Sequence, residues 1–149
     1  MTARSTATIV HRLFDEVINT GDLDRADALI AQDYIEHTTP SGTAAVGLAA
    51  FKRGAAQVRA AFPDFRATVE DALATDDTVA FRLTMGGTHR GTFAGVAPTG
   101  RVVAYSAIGF VRVAGGKIAE RWLQIDATGL LRQMGVEVIP AAARPPRPE

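Results

Sequence analysis

Residues 117–126 read K-I-A-E-R-W-L-Q-I-D, an alternating segment that ends on an acid. Strand periodicity puts Ile118, Glu120, Trp122, Gln124 and Asp126 on one face and Ala119, Arg121, Leu123 and Ile125 on the other. A carboxylate beside an indole in an apolar pocket is pushed toward its protonated form, which makes it a usable proton shuttle. Asp126 is therefore the first candidate for a general acid/base. It stands equally well as the N-cap of a helix over 127–134, and one side chain can fill both roles.

His89 closes an extended run containing Val79, Phe81, Leu83 and Met85 and shares their parity. If that row lines a pocket, His89 stands at its rim; otherwise it is an exposed loop histidine. His37 follows Glu36 and Tyr34, and Tyr34 is itself a candidate for contacting a substrate. His37 is placed to orient a substrate, to pair with Asp126, or to bond the backbone. His11 lies off its helix's apolar stripe and is expected in solvent. Trp122, Gln124, Met85, Phe81 and Phe110 are candidate pocket walls, and the apolar ones read equally as core. Gln124 differs, because a buried amide needs partners. The histidines and Asp126 show no metal-binding spacing such as H-x-x-x-H, so no metal is expected.

Composition narrows the field further. There is no cysteine, hence no disulfide, thiolate zinc site or cysteine nucleophile. Sixteen basic residues balance sixteen acidic ones, so neither a nucleic-acid nor a membrane partner is indicated. No P-loop, G-x-G-x-x-G or G-x-S-x-G occurs. With no secretory signal and no long apolar run, the expected location is cytoplasmic.

These side chains need a scaffold. Ile9, Val10, Leu13, Phe14 and Val17 make a helical stripe over 5–19, and a short helix is expected over 23–31. Residues 34–37 read as extended, 38–46 as a loop. A third helix presents Leu48, Phe51, Ala55, Val58 and Phe62. From Arg66 the period becomes two, with strands at 66–72, 78–88, 101–113 and 117–125, then a helix over 127–134 stopped by Gly135. Helices first and a strand meander after give an α+β domain over 1–136, in which helices close a curved antiparallel sheet into a cone. The Pro/Arg-rich residues 137–149 are expected to be a disordered tail.

Several segments, in this order, carry a resemblance: Asn19-Thr20-Gly21-Asp22-Leu23-Asp24, Asp33-Tyr34-Ile35-Glu36-His37, Ala61-Phe62-Pro63-Asp64, the run from Gly87 to Gly100, and Gly116-Lys117-Ile118-Ala119-Glu120-Arg121-Trp122 with Asp126. Through them the chain resembles the SnoaL-like polyketide cyclases, or ester cyclases, of the nuclear transport factor 2-like superfamily. The resemblance implies the α+β cone and a cofactor-free intramolecular aldol closure of a hydrophobic small molecule. It also implies Asp126 as acid/base, with His89 and His37 polarising oxygens and Trp122 and Gln124 shaping the pocket. Many relatives carry histidine where this chain has Arg121. Parity sets Arg121 on the face away from Asp126, so no catalytic consequence is expected.

Three readings stay open: a cyclase, another lyase, isomerase or hydrolase on the same cone (a dehydratase, or an epoxide-opening or cyclic-ether-forming enzyme), and a non-catalytic binding or dimerisation module. An outer sheet face with alternating apolar residues needs a cover, so a homodimer or homotetramer is expected.

Overall fold

The computed structural model describes residues 1–38 and 43–140. Helix α1 (Ala3–Arg12) begins at a capping box: the Thr2 hydroxyl accepts the Ser5 N–H, and the Ser5 hydroxyl oxygen accepts the Thr2 N–H. It continues as a wider π turn, Leu13–Ile18, and buries the expected stripe from Ile9 to Val17. The helix expected over 23–31 is instead a 3₁₀ turn, Leu23–Ala28, and strand β1 (Ile30–Glu36) starts earlier than read. Ile30 pairs with Ile118, so sheet pairing overrides local helical spacing.

The remaining elements are β2 (Ala45–Val46), α2 (Leu48–Ala61), β3 (Arg66–Ala74), β4 (Thr78–Thr88), β5 (Val102–Ala114), β6 (Lys117–Ile125) and α3 (Ala127–Gln133). They form one curved six-stranded sheet in the order β2-β1-β6-β5-β4-β3. β3 to β6 are the antiparallel meander, but β1 runs parallel to β6, so the sheet is mixed. Its inner face carries Phe81, Leu83, Met85, Val103, Tyr105, Ala107 and Val111, all buried. Phe14 packs edge-on against Phe81 with centroids 5.8 Å apart, and Phe51 of α2 does the same on Tyr34 at 5.7 Å.

One irregularity decides which side chains the interior receives. Val113 pairs with Ile118, but the next partner of β5, Arg112, pairs with Glu120. Ala119 is the extra residue, a β-bulge. A bulge reverses parity beyond it. Ile118 is therefore buried inside, whereas Glu120, Trp122 and Gln124 face out and Arg121, Leu123 and Ile125 face in. Uninterrupted alternation, the basis of the sequence reading, assigns the opposite face.

Of the expected tail, residues 141–149 lie outside the described residues; 137–140 are exposed and irregular. In the loop over 38–46, residues 39–42 lie outside them.

Candidate functional site

Three of the residues expected to wall a pocket stand on the outer face. Trp122 pairs with Phe110 and Gln124 with Ile108, and all four are exposed, Ile108 at 60% and Phe110 at 50%. His37 joins them rather than Asp126: its ring stacks on Trp122 (centroids 4.4 Å, planes 4° apart), and its Nε2 lies 3.3 Å from Glu120 Oε1. Glu120 also accepts a hydrogen bond from Arg112. That bond, reinforced by His37, holds the Glu120 carboxyl below the usual range. The expected pairing of His37 with Asp126 and the placing of Trp122, Gln124 and Phe110 in the interior are corrected by the bulge at Ala119. His11 is exposed, as expected.

Asp126 follows the last inward residue of β6. Its amide donates to the Ser106 carbonyl at 2.9 Å, and its Oδ1 accepts the Gly129 N–H at 2.9 Å, the N-cap bond of α3. Its Oδ2 has no hydrogen-bond partner among the described residues and packs where a Cβ at Gly129 would sit. The carboxylate is exposed, not enclosed beside the indole. Ile125 points inward by register yet is 36% exposed, and Leu123 is half-buried. The inner face is thus open to solvent where β6 ends, and Asp126, opposite the outward-facing Ser106 and one residue past Ile125, has the parity of the outer face.

Further back on the same inner face is a polar cluster that periodicity missed. The Tyr34 hydroxyl donates to Glu36 Oε2 at 2.7 Å, and Arg121 Nε donates to the same oxygen at 2.6 Å. Arg121 Nη2 also lies 2.6 Å from it. The guanidinium stands over the Phe51 ring, 5.5 Å from its centroid. The cluster forms because β1 is parallel to β6 with Glu36 opposite Arg121. Arg121 and Glu36 keep 16% and 13% of their side-chain surface accessible. Burial works against the Arg121 charge, but Tyr34 and Glu36 outweigh it and hold the guanidinium protonated. Tyr34 was legible as a candidate; Arg121 was set aside.

Met85 lies on the inner face, buried beside Tyr105 on the next strand. His89 shares that face but is completely buried, not at a rim. Its ring neighbours Phe62 at 5.5 Å, its Nδ1 meets Thr99 Oγ1 at 3.0 Å, and its Nε2 has no hydrogen-bond partner among the described residues. These contacts tie the end of β4 to the following loop.

Burial pushes the Tyr105 hydroxyl up to about 12 and, opposed by Arg121 and helped by Glu36, raises Tyr34 as well. A raised folded-state pKa contributes stability below the unfolded value of about 10, lost as pH rises through the folded one. The melting temperature should therefore fall steeply between about pH 10 and 12, and less steeply in Tyr105→Phe; equal slopes in thermal melts would refute this.

Two surface concavities lie away from Asp126. One of about 240 Å³ is bordered by Asp64, Arg66, Thr68 and Met85, the other, of about 420 Å³, by the outer side of α1. Among the described residues, no three His, Asp or Glu side chains gather to hold a metal, and no helix is long and apolar enough to cross a membrane.

Against known proteins, the model of the SnoaL-like polyketide cyclases matches residues 8–134. IdmH of Streptomyces antibioticus, a candidate polyketide cyclase, is 34% identical, with a TM-score of 0.76 over 88% of this chain and 99% of its own. AclR of Streptomyces galilaeus, a candidate hydroxylase, is 26% identical, with a TM-score of 0.78 over 90% of this chain and 98% of its own. TsrD of Streptomyces laurentii shares the fold at 21% identity and a TM-score of 0.81, over 91% of this chain and 98% of its own. No curated protein matches the chain.

Proposed function

The chain belongs to the SnoaL-like polyketide cyclase family, and from that premise we propose that it closes a ring in a hydrophobic, polyketide-like ester or ketone by an intramolecular aldol step, with Asp126 as general acid/base. The observation that carries this reading is the Asp126 carboxylate itself: it is accessible at the end of β6, beside the open margin of the sheet, with Oδ1 held by the Gly129 N–H and Oδ2 unpartnered among the described residues. Asp126 takes a proton from a carbon between carbonyls. The C–H electrons pass into the enolate, whose carbon attacks a second carbonyl of the same molecule. A C–C bond forms, the C=O pair becomes an alkoxide, and the alkoxide recovers the proton from Asp126. Nothing is gained or lost, so no cofactor is consumed. Positioning and proton transfer are the protein's share of the catalysis.

Three candidates leave the reaction. His89 is sealed, and His37 and Trp122 stack on each other on the outer face of the sheet. The test is incubation of the protein with linear poly-β-carbonyl esters, followed by mass spectrometry. A ring-closed product of unchanged mass supports the reading. A product lighter by water indicates a dehydratase, and one heavier by oxygen indicates a hydroxylase, either of which replaces it.

The outer face supports self-association. Ile108, Phe110 and Trp122 form an exposed apolar strip beside the Arg112–Glu120–His37 cluster, and a second copy turned about a two-fold axis presents the same strip. Phe110→Glu should yield monomers with unchanged turnover. A wild-type chain that sediments as a monomer at micromolar concentration would remove the proposal.

A further inference from the structure

The Arg121 guanidinium is not used up by its partners. Glu36 Oε2 takes the Nε donor and the near side of Nη2. Tyr34 also bears on the guanidinium, but no hydrogen bond from Nη1 is found among the described residues, and part of the side chain remains accessible. An arginine fork carries five donors, and leaving some unmet in a half-buried site is costly unless water or a ligand meets them. The surroundings are apolar: Phe51 lies beneath the guanidinium, and Val111 pairs with Arg121 across the strands.

We propose that Arg121 is a ligand-binding residue: its free Nη1 edge receives a planar, conjugated oxygen, such as a phenol, an enol or an enolised 1,3-dicarbonyl. Tyr34 and Glu36 are the positioning residues that fix the fork. The inference rests on the small-molecule reading above and extends it to a second contact point. Charge selects the ligand. Arg121 and Glu36 together are neutral, so a full carboxylate would bring a net charge into a partly apolar site. An oxygen of partial charge gains the donors without that cost. Spacing sets the role. Arg121 lies within β6 and Asp126 just past its end, five residues on: on the order of 16 Å apart at the usual rise, and of opposite parity. Asp126 therefore cannot act on a carbon whose own oxygen sits on Arg121. The subsite serves binding away from the reacting carbon, and its loss appears in KM rather than in kcat.

The probe is 4-nitrophenol, with nitrobenzene as the control that lacks the hydroxyl, titrated by absorbance and by NMR. The wild-type chain should bind 4-nitrophenol about tenfold or more tightly than Arg121→Gln, with nitrobenzene alike on both. Because the single variant leaves Glu36 without its cation, the double variant Glu36→Gln/Arg121→Gln is measured beside it, with melting curves to confirm folding. It should lose the same factor. Arg121→Lys, which keeps the charge but not the planar fork, should recover only part of it. Asp126→Asn should bind 4-nitrophenol as the wild type does, so failure of the acid/base assignment and failure of this one are read separately. Equal affinity of wild type and a folded variant lacking Arg121, equal wild-type affinity for the two probes, or no binding of either probe to the wild type would each overturn the proposal.

Discussion

Asparagine at position 126 should leave a folded protein whose turnover falls by about 10²–10⁴-fold, the usual yield of general acid–base help. The substitution separates the two jobs of this side chain. As an N-cap, asparagine is about as good as aspartate, because its amide oxygen still accepts the Gly129 N–H. The melting temperature should therefore hardly move. As a base, asparagine is useless. Asp126→Ala completes the comparison: it should lose the activity and also about 1 kcal/mol of stability with the cap. A variant Asp126→Asn that keeps its rate on a ring-closing substrate ends the catalytic assignment and leaves only the cap.

The second large effect concerns stability. Arg121→Met alone should cost about 3 kcal/mol in urea unfolding, the lower end of the range for breaking a buried pair, because the pair keeps some contact with solvent. The loss comes from Glu36 and Tyr34, left facing an apolar side chain. Removing the whole cluster should restore most of it. Tyr34→Phe/Glu36→Leu/Arg121→Met leaves no polar group unpaired in the layer beneath Phe51, so the triple variant should be more stable than the single one. If single and triple variants melt together, the cluster has no coupled energetics.

Much of the fold was legible before any coordinates. β4 and β6 run over the residues their alternation marks, and the stripe from Ile9 to Val17 is buried as spaced. The alternation alone starts β1 late, because Ile30 and Ala31 fall at the end of the helix expected over 23–31; the pairing of Ile30 with Ile118 that makes them a strand is a long-range contact. The site was less legible, and for one reason. Ile118 and Trp122 are both large and apolar at even spacing, so alternation runs smoothly through Ala119 and hides the bulge there. The partner that identifies Arg121 as an interior residue, Glu36, stands 85 positions away on a parallel strand. No local window contains both. Tyr34 and Asp126 stand out as candidates because their own neighbours mark them, one in an extended segment and the other at a strand-to-helix junction.

The single extra residue at Ala119 has the status of a switch in the gene. Excising that codon would thread β6 back one step: indole and amide would turn toward the interior, the guanidinium toward the bulk. No replacement of one side chain by another could exchange both sets at once. Descendants of this scaffold could therefore trade the chemistry of their lining for that of their exterior by gaining or losing three nucleotides.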